Sequence, residues 1–546
     1  LGFAAGVIPA AVPPPVMTSS MGGAAGAGVF DYIVVGAGSA GCVLCGRLAA
    51  AQPDARIALL EYGADVVDRP SISSPVDWGR NLGGPADYAY QTDPQPAFGH
   101  RWISYPRGRG LGGSSLINAL IYSRGFRADW DRMPEGWRSA DVEPLFQGIE
   151  ARLRLTTVRQ GTFGLAVAAA AGKLGFPLAS SDNWEVGGLA ETYRVAVDSE
   201  RGRRVDVYRA MGANRGNVKL VRGRAQRVLT EVVDGSHVAV GVEIGGSSGP
   251  IYVRRGGEVV LCAGAVDTPK LLQLSGIGPA DLLTSLHIPL VQDAPVGHGL
   301  KDHTILAVGA MSNLQAPDLT PNGIQGFIND EDNRVQLMLC DGSSLPGLLP
   351  SLVRDFANKP GWASRIRRVL LRYVLAPLLR LLLGRGRGRT IMERAVGINV
   401  CLTRPSSTGT VMIRSRDPGL APAIDPKFLS TEDDRESMLR GLEMAQRILA
   451  SRAVAPLIET HTSGLDKTTP EQFVMNGTGS YWHPTGTCAI GACLDTELRV
   501  IGVSGLRVAD ASALPVHPRV PTQAACMVVG AKCADVIVGA RSVSAL

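Results

Sequence analysis

The sequence predicts an α/β fold of more than one lobe, and three observations carry that expectation. Residues 31–35, DYIVV, form an apolar run that leads directly into Gly36-x-Gly38-x-x-Gly41. A second apolar run, RIALLE, ends on Glu61, twenty residues beyond Gly41. The order of apolar strand, small-residue turn and helix recurs from Glu258 to Pro279 and again from Gly505 to about Gly539. A chain of 546 residues with 45% hydrophobic content can bury a large core, and its length points to two or more lobes.

The first of these segments reads as a Rossmann-like dinucleotide site. Gly36 allows the tight strand-to-helix turn, Gly38 lets the backbone approach a pyrophosphate, and Gly41 permits close packing of the helix whose first N–H groups face the phosphates. Ser39 stands inside the motif and is counted among its binding residues. Glu61, at the end of the second strand, can accept hydrogen bonds from ribose hydroxyls. The motif alone does not separate NAD from FAD.

A second glycine cluster runs from Pro106 to Ala119 and continues to Gly125. In Gly112-Gly113-Ser114-Ser115 the small residues let backbone N–H groups and hydroxyls approach an anion. The run EVVLCAG predicts a buried strand, with Pro269 in the first turn of the helix that follows. The chain then passes through Val296-Gly297-His298-Gly299-Leu300-Lys301-Asp302-His303, to which no role is assigned. Near the C-terminus, residues 505–515 predict one more strand and turn, followed by a long apolar helix from about Thr522 to Gly539.

From Phe30 to about Gly539 these segments resemble the glucose-methanol-choline (GMC) oxidoreductases. The stretches RGRGLGGSSLINALIYSRG and GAVDTPKLLQLSGIGP match that family's two signature regions. The resemblance implies FAD as cofactor, a Rossmann-like FAD-binding lobe assembled from both ends of the chain, and a substrate lobe with a mixed or antiparallel sheet and helices. It assigns residues 30–150, 200–310 and 480–546 to the first lobe and 151–199 and 311–479 to the second. It also implies that Arg107, Gly112, Gly113, Ser114 and Asn118 contact the cofactor, with Asn118 near the isoalloxazine. Asp510 would lie near the ribityl and diphosphate groups, with the Ala511 N–H beside it, although a helix-capping Asp would read the same. The wording of Arg404–Gly409, RPSSTG, is most similar to algal plastid members related to fatty-acid photodecarboxylases, which implies a plastid location.

His483, in Tyr481-Trp482-His483-Pro484-Thr485-Gly486-Thr487-Cys488, matches the family's HPxGTC motif. The resemblance implies that it takes the hydroxyl proton of an alcohol while hydride passes to flavin N5, a task suited to a neutral imidazole. The family's second polar residue, Asn or His, falls on Pro521, which offers no side-chain donor and no N–H. Gln523, two residues on, is the candidate replacement, and His517 reads equally well as an exposed loop residue. The expected reaction is oxidation of a hydrophobic, long-chain alcohol. One alternative is light-driven decarboxylation of a fatty acid, but Thr403, Gly479 and Trp482 stand where that chemistry has Cys, His and Asn, with Cys401 two residues before. Another is a flavin-binding subunit that has lost turnover.

Composition narrows the partners. A formal charge of +6 on a chain of this size does not argue for nucleic acid. Nine scattered cysteines without zinc-type spacing predict no metal site and fit a reducing compartment. Cys42 and Cys45 read as small packing residues of the phosphate-binding helix. No run reaches the roughly eighteen apolar residues of a spanning helix. Residues 1–29, without a charged side chain, are expected to be a leader or flexible arm. Residues 365–389, with eight arginines, no acid and long leucine runs, predict docking on a membrane surface or a membrane-complex partner.

Overall fold

The computed structural model describes residues 28–175, 189–345 and 386–544, apart from positions 191, 247–248, 315–317, 331, 333, 463 and 465–466, and adds Leu348 and Leu378. Most of the expected arm and, save for Leu378 and positions 386–389, the basic segment 365–389 lie outside the described residues.

Two sheets organise the chain. Strand β1 (Val29–Val35), helix α1 (Ser39–Ala51) and strand β2 (Ile57–Glu61) form the first unit. Both strands are buried almost throughout, as parallel strands covered on two faces must be. Strands β3 (Val218–Arg222), β4 (Arg224–Val233), β5 (Ser236–Gly245) and β6 (Ile251–Leu261) extend this sheet in the order β4-β5-β6-β1-β2-β3. The pairings from β6 through β3 are parallel, those from β4 through β6 antiparallel. Strand β6 is long enough to serve both: Ile251 and Tyr252 pair with β5, and Glu258–Leu261 pair with β1. The free side of β6 takes Leu506–Val508 in parallel, so both ends of the chain build one sheet.

Helix α2 (Gly264–Leu274) follows β6 and corrects one expectation: Pro269 is its sixth residue, not part of its first turn. A proline there leaves the carbonyl of Ala265, four residues back, without its helical donor. The Thr487 hydroxyl fills that vacancy at 2.8 Å. The interior proline thus ties α2 to the segment that carries His483.

The second sheet is antiparallel, with strands β7 (Thr304–Ser312), β8 (Ile324–Asn329), β9 (Val335–Asp341), β10 (Ala395–Leu402) and β11 (Ile458–His461) in the order β11-β7-β10-β9-β8. A lobe boundary at residue 310 cuts β7, which lies wholly in this sheet. Helix α3 (Glu432–Leu449) packs on one face, where Leu306, Leu337 and Ile398 share a core with Met438 and Leu442. Gly441 allows the approach, since a Cβ there would stand 2.5 Å from Val400 Cγ1. Alternate residues point the other way. Ile305 and Ala307, Met338 and Cys340, Gly397 and Asn399 line a cavity. Helix α4 (Gln523–Ser544) packs against α1, where Gly530 has no room for a side chain beside the Ala40 carbonyl, 2.3 Å from a Cβ position. Among the described residues no helix is long and apolar enough to cross a membrane, and no side-chain cluster suits a metal ion.

Candidate active site

The cavity, of about 570 Å³, is lined by residues of both sheets. On the first side the glycines stand as their spacing predicts. Gly36 has φ +104°, and a Cβ on it would meet Cys262 O at 2.5 Å. A Cβ on Gly41 would stand 2.0 Å from Gly36 O, so α1 starts in direct contact with the turn. At Gly38 the Cβ direction is open, with nothing nearer than 3.9 Å. Gly113 backs Gly38, its own Cβ position being 2.6 Å from Gly38 Cα, and Gly112 donates its N–H to Ala37 O at 2.8 Å. Gly38, Ser39, Gly113 and Ser114 line the cavity, whereas Gly112 sits behind it.

Glu61 closes this end. Its carboxylate accepts N–H bonds from Ala37 (3.0 Å) and Gly63 (2.7 Å), which lash β2 to the glycine turn. Burial pushes its carboxyl up, opposed by those two N–H groups and by Arg222. Asp510 is fully engaged, accepting from Gly264 N (2.8 Å), Thr268 Oγ1 (2.6 Å), Ser512 N (2.8 Å) and Ser512 Oγ (2.6 Å). The capping reading of Asp510 is therefore what its carboxylate does: it joins the start of α2 to the turn at Ala511, and both residues border the cavity. Cys42 and Cys45 are unpaired and buried in α1, and burial pushes both thiols up.

The opposite wall holds His483, presented by a strained residue. Trp482 has φ +69°, a left-handed conformation costly for a bulky side chain. Three bonds hold it: its N–H to Ser480 Oγ (2.8 Å), its indole N–H to Ser104 O (3.0 Å), and its carbonyl accepting from Arg107 Nη2 (2.6 Å). Arg107 thus braces the wall that carries His483. Asp302 accepts the His483 backbone N–H (2.6 Å) and the Ser480 hydroxyl (2.6 Å), and burial raises its carboxyl to about 6.

The His483 ring meets His303, Nδ1 to Nδ1 at 3.0 Å. Burial first, then His303 and Arg107, hold His483 well below the usual imidazole range, and burial brings His303 down to about 3. Both rings are neutral at neutral pH, so one Nδ1 donates and the other accepts. With His483 as donor, its Nε2 keeps a lone pair, the form a base requires. His517 is corrected from the exposed loop to the core: it is 8% exposed, its ring centroid lies 4.1 Å from that of His303, and its Nδ1 bonds Thr485 Oγ1 at 2.7 Å.

Pro521 and Gln523 border the same cavity. Gln523 Oε1 accepts from Asn118 Nδ2 at 2.7 Å, while Gln523 Nε2 is buried with no hydrogen-bond partner among the described residues. Cys401 does not line the cavity, and Thr403 spends its hydroxyl on Arg334 O (3.2 Å). The RPSSTG segment is an anchored turn: Asp434 accepts the N–H groups of Ser406 and Ser407, both at 2.8 Å.

The fold and this wall define a nucleotide-binding oxidoreductase. Two family models, each described as GMC oxidoreductase, match residues 30–305 and 405–530, and the chain belongs to that family. It is 34% identical over 556 residues to an uncharacterized GMC-type oxidoreductase of Mycobacterium tuberculosis, covering 93% of this chain and 99% of the relative. It is 31% identical over 549 residues to an oxygen-dependent choline dehydrogenase of Escherichia coli, covering 93% and 96%. Among solved structures it is similar to pyridoxine 4-oxidase from Mesorbium loti, with TM-score 0.75, 24% identity and 93% and 98% coverage. A formate oxidase follows with TM-score 0.74, 22% identity and 94% and 99% coverage. The plastid subtype remains a resemblance of wording.

The protein is an FAD-dependent oxidoreductase, and the residues present fit that cofactor. The open side of Gly38 at the start of α1 admits a pyrophosphate, and the buried Gln523 Nε2 lacks an acceptor that a ligand can supply. The structure brings Gly36, Gly38, Ser39, Glu61, Arg107, Gly113, Ser114, Asn118, Asp510, Ala511, His483 and Gln523 to one cavity. Sequence reasoning missed Asp302 and His303. Their signal was an acid followed by a histidine at the mouth of the apolar run TILAV.

Proposed function

We propose that the protein oxidises the CH–OH group of a hydrophobic, long-chain alcohol, with His483 taking the hydroxyl proton. When bound, FAD supplies the hydride acceptor. The observation that carries this reading is the His483 ring at the cavity wall, its Nδ1 engaged by His303 and its backbone held by Asp302, which leaves Nε2 for the substrate. An apolar substrate is supported by Ile305, Met338, Leu345 and Leu348 on the second-sheet side. Their burial by an alkyl chain contributes about 0.8 kcal/mol per CH₂.

Anaerobic mixing with alcohols in the dark tests the proposal. Loss of flavin absorbance is expected with long aliphatic alcohols and much less with short ones. Hydrocarbon release from fatty acids only under blue light would replace this reading with photodecarboxylation; no reaction in either condition would leave a flavin-binding role. The acid limb of kcat/KM checks the base separately. A His pKa lowered by burial keeps the base neutral to lower pH, so the limb is expected at or beneath about 6, where Asp302 takes up its proton. A midpoint above the ordinary imidazole value of about 6.5 contradicts a buried neutral base.

A further inference from the structure

We infer that Arg204 is a positioning residue for bound FAD: it sets the direction of a two-amide relay, Asn118 to Gln523, so that the relay ends in a hydrogen-bond donor at the cavity. Arg204 does not itself line the cavity and is 5% exposed. Its guanidinium donates to Ile72 O (2.8 Å), Ser115 O (2.8 Å), Asn118 O (2.9 Å) and Asn118 Oδ1 (2.7 Å), with no carboxylate partner among the described residues. Burial alone brings it down to about 9.

The direction follows from what each group can do. Arginine only donates, so the Asn118 atom facing it is the oxygen, an assignment that the Leu120 N–H repeats at 3.2 Å. The Asn118 nitrogen must then donate, and Gln523 must receive it with Oε1 at 2.7 Å. Gln523 is left with Nε2, buried and without an acceptor among the described residues, on the wall where Pro521 has no donor to give. The positive charge at the far end polarises each bond in the same sense. A guanidinium that only pinned Ile72 to Ser115 would not require the Asn118 side chain.

Asn118→Asp separates the two roles. Aspartate still accepts from Arg204, and gives it the carboxylate it lacks, but it has no N–H to offer Gln523. The Gln523 amide then turns its nitrogen to residue 118 and presents oxygen to the cavity. The melting temperature is expected to hold or rise, while FAD release on dilution of the loaded protein shows affinity about tenfold weaker. The bound-flavin absorption bands are expected to shift as well. Gln523→Leu should give a similar loss, and the double variant no more than either single one. FAD affinity of Asn118→Asp within twofold of the wild type, or losses that multiply in the double variant, overturn the inference.

Discussion

Replacing His483 by alanine is expected to lower kcat/KM for dark alcohol oxidation by about three orders of magnitude while FAD stays bound. That corresponds to about 4 kcal/mol of transition-state stabilisation. The loss is chemical rather than structural, because the strongest anchor of position 483 is its backbone N–H on Asp302 at 2.6 Å, which alanine keeps. The Trp482 bonds to Ser480, Ser104 and Arg107 also survive. What disappears is the ring, and with it the partner of His303 Nδ1. His303→Ala should cost far less, about tenfold, since it leaves the base in place and removes only the acceptor that selects its tautomer. Rapid mixing with the alcohol that bleaches the wild-type flavin decides the matter: a His483→Ala rate within tenfold of the wild type rules this histidine out as the base.

How much of this could be read from the chain depends on how local the constraint is. The Gly36–Gly41 turn was legible because its spacing is local, and for Gly41 the demand is local too, a Cβ there standing 2.0 Å from Gly36 O. The demand on Gly36 comes from Cys262 O, distant in sequence, 2.5 Å from its Cβ direction. His483 was legible through a motif of neighbouring residues. Its partners were not. His303 lies 180 residues away and His517 touches it from the other side of the HPxGTC segment, so only the tertiary fold assembles the cluster. Arg204 sits in Arg201-Gly202-Arg203-Arg204, where Arg201 and Arg203 are exposed and Arg204 alone is buried, a difference that only the tertiary fold makes. Pro269 misled for a related reason. An interior proline is acceptable only because Thr487, distant in sequence, takes the carbonyl it frees.

Gly41→Ala is expected to abolish retention of FAD, although alanine is the better helix former. The added Cβ would stand 2.0 Å from Gly36 O and 3.2 Å from Cys262 Cβ, and the first of these is backbone that no rotamer change can move. Gly36 cannot retreat, because its own Cβ direction is already within 2.5 Å of Cys262 O at the end of β6. Helix α1 must therefore lift from the turn. It carries with it Gly38, so close to Gly113 that a Cβ on Gly113 would stand 2.6 Å from Gly38 Cα, and the two glycine loops separate where a pyrophosphate would be held. Overpacking of this kind costs about 1–3 kcal/mol in stability, and the displaced N–H groups cost the anion site as well. Gly172→Ala supplies the opposite sign: in the helix Thr162–Lys173 that glycine has nothing within 4 Å of its Cβ direction, so alanine should stabilise by up to about 1 kcal/mol with flavin content unchanged. The ratio of flavin to protein absorbance in each purified variant, read beside its melting temperature, is the measurement. A Gly41→Ala protein with a full complement of flavin would mean that α1 does not bind the cofactor through this contact.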